Sequence, residues 1–254
     1  MDLWAAIILG IVEGATEFLP VSSTGHLILT SKLLGMKATD FLKSFEIIIQ
    51  LGAILSVVVL YWKSLLFNKE ILKRVLLAFV PTGVLGLIFY RLIKKFLGND
   101  QIVIWSLLLG GVFLIVFELL HKEKDDAADE LGQLPYGKVL LIGLFQSIAM
   151  IPGVSRSAAT IVGGLILGLK RRTIVEFSFL LAIPTMLAAT GMDLVKNAHV
   201  FSVDQIGFLA AGFITSFIVA MASVKFLIHF IQRNNFIPFG VYRIVLVLTI
   251  WGWR

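Results

Sequence analysis

With 254 residues, of which 58% are hydrophobic and only 15% charged, and a mean hydropathy of +0.96, the chain has too little polar surface for a water-soluble domain and reads as a single integral membrane domain over 1–254. Its net charge of +6 does not point to nucleic acid, because the Lys and Arg residues stand in short loops between apolar runs, where membrane anchoring and orientation account for them. The absence of cysteine excludes disulfides and thiolate chemistry.

Met1-Asp2-Leu3-Trp4 lacks a basic leader, so the first apolar stretch is expected to stay in the mature protein. That stretch, 3–19, is followed by a second, 21–34, with Pro20 and a run of hydroxyls between them. Each is too short to cross a bilayer comfortably, which predicts a re-entrant helix-turn-helix hairpin. Longer apolar runs predict crossings at about 41–62, 75–94 and 101–120. A charged stretch, 122–138, reads as a linker. The segments 139–151 and 155–167 then repeat the hairpin pattern around Pro152 and Gly153, and three more crossings are expected at about 173–195, 205–231 and 238–253. Trp4, Trp62, Trp251 and Trp253 read as interfacial anchors.

The two halves resemble each other. An offset of 133 residues sets Glu13 on Gln146, Val21 on Val154, Ser22 on Ser155 and Ser23 on Arg156, and an offset of 132 pairs FEIIIQLGAIL from Phe45 with FSFLLAIPTML from Phe177. Each half, about 1–121 and about 139–254, is then one re-entrant hairpin plus three crossings. An odd number of crossings turns the second copy upside down, so the fold expected is an all-α inverted-topology repeat with its hairpins meeting near the midplane. The basic residues Lys63, Lys69, Lys73 and Arg74, and the run Lys170-Arg171-Arg172, fall on one side in this topology and are assigned to the cytoplasm, leaving the mouth of the first hairpin outside.

Ionisable groups at bilayer depth cost roughly 2.5 to 3.5 kcal/mol each on insertion scales, so those inside the hairpins are the candidates for a site. Glu13 and Glu17 are spaced i, i+4, which stacks both carboxylates on one helix face. Such a pair either shares a proton or binds a hard divalent cation, Mg²⁺ or Ca²⁺. In Ser22-Ser23-Thr24-Gly25-His26 three hydroxyls lie within about a helical turn of an imidazole, which suits a nucleophile and base, although Ser22 by itself reads as a helix N-cap. Pro152-Gly153-Val154-Ser155-Arg156-Ser157 opens a helix and offers backbone N–H groups, hydroxyls and a guanidinium, the parts of an oxyanion receptor. Arg156 could equally pair with Glu13 or Glu17, and Thr160 could either support a phosphate or bond back to its own helix. Glu46 and Gln50 are second-rank candidates around the acidic pair. Glu118, Glu176 and Arg243 fall near helix ends, where snorkelling would satisfy them, and Gly110-Gly111 and Gly163-Gly164 predict close helix packing.

The strings EGATEFLPVSSTGH, from Glu13 to His26, and PGVSRSAAT, from Pro152 to Thr160, resemble the two signature motifs of the undecaprenyl-diphosphate phosphatase family, which is also known for bacitracin resistance. The likeness runs through the whole chain, including FEIIIQLG from Phe45. It implies release of inorganic phosphate from undecaprenyl diphosphate, which renews the lipid carrier for peptidoglycan synthesis, cell-wall biogenesis and cell shape, at the outer face of a bacterial inner membrane. The acidic pair of the family corresponds to Glu13 and Glu17, its hydroxyl and histidine to Ser23 and His26, and its phosphate-binding arginine to Arg156, with no departure at these positions. The implied partners are a polyprenyl diphosphate and membrane lipids, with a homodimer admitted. Attack could come from Ser23, from His26 or from water. A transporter or flippase of a polyprenyl phosphate is the alternative, because inverted repeats with broken helices are transporter architecture. A phosphatidic-acid-phosphatase-type enzyme is disfavoured, because no histidine follows Ser155-Arg156 before His199.

Overall fold

The computed structural model describes residues 1–37, 39–97, 99–123, 130–197 and 205–252; His199, Trp253 and the middle of the expected linker lie outside the described residues. Regular structure among the described residues is helical. The order is α1 (Leu3–Thr16), α2 (Ser23–Leu33), α3 (Asp40–Phe67), α4 (Lys69–Ile88), α5 (Tyr90–Leu97), α6 (Asp100–Leu120), α7 (Tyr136–Ser147), α8 (Arg156–Ile166), α9 (Arg171–Asn197), α10 (Ile206–Phe230) and α11 (Ile237–Gly252). Single 3₁₀ turns precede α7 and follow it. Five helices, α3, α4, α6, α9 and α10, are long and apolar enough to cross a membrane, so the chain is a multi-pass membrane protein.

Local chemistry sets several of these boundaries. Asp2 caps α1 by accepting from the Ala5 N–H at 2.7 Å, Thr39 caps α3 through Leu42 N–H at 3.1 Å, and Asn68 caps α4 through Ile71 N–H at 3.1 Å. Both segments read as hairpins are pairs of short helices around a turn, α1 with α2 and α7 with α8. Pro20, which has no N–H to donate, lies in the first turn. The expected crossing at 75–94 is displaced. Its helix α4 starts at Lys69 and stops at Ile88, Phe89 departs from helical geometry (φ −94°, ψ 10°), and α5 resumes at Tyr90. The last expected crossing, α11, has 16 described residues, roughly 24 Å at 1.5 Å per residue and short of an ~30 Å hydrocarbon core.

The helices pack in a definite pattern. α10 receives α1 and α3, α4 receives α7 and α9, α3 lies against α9 at the centre, and α6 lies against α11. Phe18 and Val21 of the first turn, Ala53 and Val57 of α3, Ile161 and Leu165 of α8, and Phe177 and Leu181 of α9 belong to one buried apolar cluster. Large apolar side chains including Trp4, Phe67, Leu87, Leu109 and Leu120 are exposed on the outer faces, as a lipid-facing surface requires.

Glycine permits the closest contacts. A Cβ on Gly14 would stand 2.5 Å from the Ser216 carbonyl oxygen of α10, and one on Gly143 would overlap the Ala78 carbonyl oxygen of α4. We therefore expect Gly143→Val to lower the thermal midpoint of the detergent-purified protein by an overpacking cost of about 1–3 kcal/mol. Gly137→Ala on the same helix, where a Cβ meets nothing within 4 Å, should leave the midpoint unchanged.

Candidate active site

The tips of the two hairpins meet. Glu17 is the C-cap residue of α1 and keeps helical dihedrals (φ −61°, ψ −42°), so its carboxylate points from the same face as Glu13, one turn earlier. Arg156 begins α8, whose N-cap Ser155 accepts from the Ala158 N–H at 3.2 Å and donates to the Leu19 carbonyl at 3.5 Å. The Arg156 guanidinium donates to Glu17 Oε1 at 3.4 Å and, through its other terminal nitrogen, to the Ser178 carbonyl of α9 at 2.8 Å. The Ser23 hydroxyl donates to the second oxygen of Glu17 at 2.5 Å. One buried carboxylate therefore joins the hydroxyl of the first hairpin to the cation of the second.

Glu13 is fully buried and neither of its carboxyl oxygens has a hydrogen-bond partner among the described residues. Arg156 Nε and the Ser157 hydroxyl are likewise buried without partners. Buried polar atoms normally find partners, so the free atoms of Glu13 and Arg156, whose charges act on each other, leave hydrogen-bonding capacity unused at the hairpin tips. Glu46 on α3 accepts from Ser31 at 3.3 Å.

His26 is arranged differently from a simple Ser-His pair. Its Nδ1 lies 2.8 Å from the Ser22 carbonyl and its Nε2 lies 2.8 Å from the Tyr242 hydroxyl, with the two rings parallel within 2° and 5.5 Å apart. A carbonyl only accepts, so Nδ1 carries the proton, and in the neutral ring Nε2 accepts from Tyr242. The Ser23 proton is directed at Glu17 and not at His26.

Other candidates take mixed positions. Ser22 stands where an N-cap would, but its side chain makes no capping bond and its backbone is left-handed (φ 72°, ψ 94°). Thr24 is half-buried on the first turn of α2. Thr160 bonds back to the Arg156 carbonyl at 2.9 Å, the helix-internal alternative. Gly153 has φ 90° and a Cβ there would come 2.5 Å from the Val103 carbonyl oxygen of α6, so the turn before Ser155 needs glycine.

Two readings are corrected. Arg243 does not snorkel: it is 1% exposed and donates to the carbonyls of Leu107 at 3.2 Å, Ser106 at 2.9 Å and Gly153 at 3.0 Å. Glu118 does not snorkel either. It is buried, is gripped by both terminal nitrogens of Arg171, and accepts from the Phe236 N–H at 3.2 Å. Tyr242 and Arg243 contact His26 and the Gly153 turn and are not among the site residues expected from the sequence. The only sequence signal was their adjacency in an otherwise apolar helix, with Gly110-Gly111 on the helix that faces them.

The family described as Bacitracin resistance protein BacA matches residues 6–249. The chain is 54% identical over 250 residues to a protein of Aquifex aeolicus named undecaprenyl-diphosphatase, covering 98% of this chain and 97% of that one. A protein of the same name from Sulfurihydrogenibium sp. is 53% identical over 253 residues, with full coverage of both chains. One from Campylobacter jejuni is 48% identical, covering 97% of this chain and 92% of its own.

The left-handed backbone at Ser22 gives a direct test. Ser22→Gly should match or exceed the wild-type thermal midpoint, whereas Ser22→Val should fall below it by about 1–3 kcal/mol of backbone strain. Equal midpoints for the two variants would contradict the conformation described for this turn.

Proposed function

The chain belongs to the family of bacitracin resistance protein BacA, and from that premise we infer that it is an integral membrane phosphatase that hydrolyses undecaprenyl diphosphate to undecaprenyl phosphate and inorganic phosphate. The observation that carries the reading onto particular atoms is Glu17, held between the Ser23 hydroxyl at 2.5 Å and Arg156 at 3.4 Å. Arg156 and the N–H groups that open α8 grip the terminal phosphate. Glu17 takes the Ser23 proton as Ser23 Oγ bonds to the terminal phosphorus. The bond from that phosphorus to the bridging oxygen breaks, and undecaprenyl phosphate leaves. Water then cleaves the phosphoserine, releasing inorganic phosphate and restoring the hydroxyl. In its protonated form His26 would donate from Nε2 to a phosphate oxygen in place of the Tyr242 hydroxyl.

We propose that the acidic pair takes a divalent cation, Mg²⁺ or Ca²⁺. The carboxylate of Glu13 is buried and unpartnered, and no cluster of three or more His, Cys, Asp or Glu able to cage a metal occurs among the described residues. One or two carboxylates completed by phosphate oxygens and waters is the usual Mg²⁺ arrangement. Glu13, with Glu17, would hold the ion, which would offset charge on the diphosphate oxygens.

Several features support the finer topology. The packing of α1 and α3 on α10 is repeated by α7 and α9 on α4. At the 133-residue offset Gly10 matches Gly143 and Thr82 matches Thr215, and the matched glycines abut the matched helices: Gly10 meets Gly212 and Thr215, Gly143 meets Ala78 and accepts from Thr82 at 3.0 Å. These equivalences favour an inverted repeat with α11 as a sixth crossing. The basic start of α4 is tied to the Leu134 carbonyl through Arg74 at 2.8 Å, and the start of α9 to the end of α6 through Arg171 and Glu118. Both basic loops then share the cytoplasmic side of an inner membrane, and the first hairpin opens outward. A homodimer would be compatible with the apolar outer faces.

Purified protein in detergent should release phosphate from undecaprenyl diphosphate, which a transporter, needing two compartments, would not. Glu17→Ala, Ser23→Ala and Arg156→Ala should each lower turnover by about 10²-fold or more with folding retained; near-normal rates would remove these residues from the mechanism. Complete chelation should abolish release and added Mg²⁺ or Ca²⁺ restore it, and Glu13→Gln should raise the cation concentration needed for half-maximal rate by about tenfold or more.

A further inference from the structure

Two consecutive residues of α11 reach opposite halves of the site. On a helix, neighbours point about 100° apart. Tyr242 points to the first hairpin, where its hydroxyl meets His26 Nε2 at 2.8 Å with the rings stacked. Arg243 points to the second, where one terminal nitrogen donates to the Gly153 carbonyl at 3.0 Å and to the Ser106 carbonyl at 2.9 Å, while Nε donates to the Leu107 carbonyl at 3.2 Å.

The environment of Arg243 is unusual for a structural arginine. It is almost wholly buried, and its partners are backbone carbonyls, with no ion pair to it among the described residues. A buried guanidinium without a carboxylate is costly to desolvate, and here its carbonyl hydrogen bonds are what offsets that cost. The carbonyls it bridges belong to α6 and to the left-handed turn at Gly153 that leads into Ser155 and Arg156. Gly110 leaves it room, since a Cβ there would overlap the guanidinium. Its charge lies beneath the anion-receiving loop and is not cancelled there, unlike that of Arg156, which already faces Glu17.

We propose that Tyr242 and Arg243 are positioning residues of the phosphatase: Arg243 fixes the Pro152-Gly153 turn that presents Arg156 to the substrate, Tyr242 fixes the plane of the His26 ring, and α11 thereby holds the two hairpins in register. The proposal rests on the phosphatase reading. Neither residue touches the reacting atoms. The stacked Tyr242 ring stays in place when a protonated His26 turns its Nε2 proton to a phosphate oxygen, and Arg243 keeps its carbonyls throughout.

The test measures phosphate release from undecaprenyl diphosphate by wild type, Arg156→Ala, Tyr242→Phe, Arg243→Lys, Arg243→Gln and Gly110→Ala, with thermal midpoints measured in parallel. Tyr242→Phe keeps the stacked ring on a half-exposed position, so it tests the hydroxyl without threatening the fold. Arg243→Lys keeps the charge but cannot span the turn and α6 together. It should lower kcat by about 10- to 100-fold, the usual cost of losing an orienting partner, with KM within about threefold of wild type. Gly110→Ala, which crowds the guanidinium, should lower kcat in the same direction, and Tyr242→Phe should lower it by about threefold to tenfold. If wild type is active and Arg156→Ala is not, yet Tyr242→Phe and Arg243→Lys turn over like wild type, the positioning roles fall and the site stands. They also fall if kcat declines only in proportion to the loss of folded protein. If wild type releases no phosphate, the phosphatase reading falls and takes the positioning roles with it.

Discussion

The contact between Glu17 and Arg156, 3.4 Å between residues 139 apart in sequence, is the interaction that joins the charges of the two hairpins. In an apolar environment a carboxylate and a guanidinium each carry a large desolvation cost, and their attraction offsets it only when both are further hydrogen-bonded. Here both are: Glu17 accepts from Ser23 and Arg156 donates to Ser178. Meeting those requirements at one point brings both turns to it, and each turn accepts an unusual backbone to get there, left-handed at Ser22 and at Gly153. Paired buried charges add little stability over an apolar replacement, which agrees with the catalytic role proposed for this pair.

The helices supply the rigid frame for that meeting point. Short helices such as α1 and α8 are marginal alone, and they stand because each is pressed against a long one. α1 lies so close to α10 that Gly14 cannot carry a side chain, and α7 approaches α4 through Gly143. Close backbone approach of this kind is how helices associate where lipid offers no hydrophobic drive. The same economy appears at the other end of the bundle. There Glu118, Arg171 and the Phe236 N–H tie α6, α9 and the start of α11 together in one buried polar knot.

Much of this was legible in the sequence, and for physical reasons. Pro20 and the Pro152-Gly153 dipeptide stand among hydroxyls between two short apolar runs, unlike Pro81 and Pro184, which α4 and α9 carry inside them, and carboxylates at i, i+4 share a face in any helix, so the paired short helices and the acidic pair followed from local rules. What escaped involves partners that leave no mark in a sequence. Arg243 is satisfied by backbone carbonyls, which every residue has, and its role depends on where α6 and the Gly153 turn happen to lie. Glu118 finds Arg171, 53 residues on, so nearness to a helix end looked like sufficient explanation for either residue alone. Ser22 looked like a cap because serine usually is one before a helix, yet the turn forces it left-handed and removes the capping geometry. The break between α4 and α5 at Phe89 carries neither proline nor glycine, and nothing in the local sequence accounts for it.

The bond lengths at the centre also indicate how substrate can enter. Ser23 to Glu17 at 2.5 Å and Arg156 to Ser178 at 2.8 Å are short and well made, whereas Arg156 to Glu17 at 3.4 Å is longer than the ~2.7–2.9 Å usual for a charge-assisted hydrogen bond. On the proposed mechanism the first two contacts orient the nucleophile and the guanidinium before reaction. The third occupies the guanidinium edge that a phosphate would take, and Arg156 Nε is already without a partner. Exchange of one long contact for a bidentate phosphate therefore requires no refolding of either hairpin. On the proposed mechanism this exchange would leave one oxygen of Glu17 free to hold a divalent cation together with Glu13.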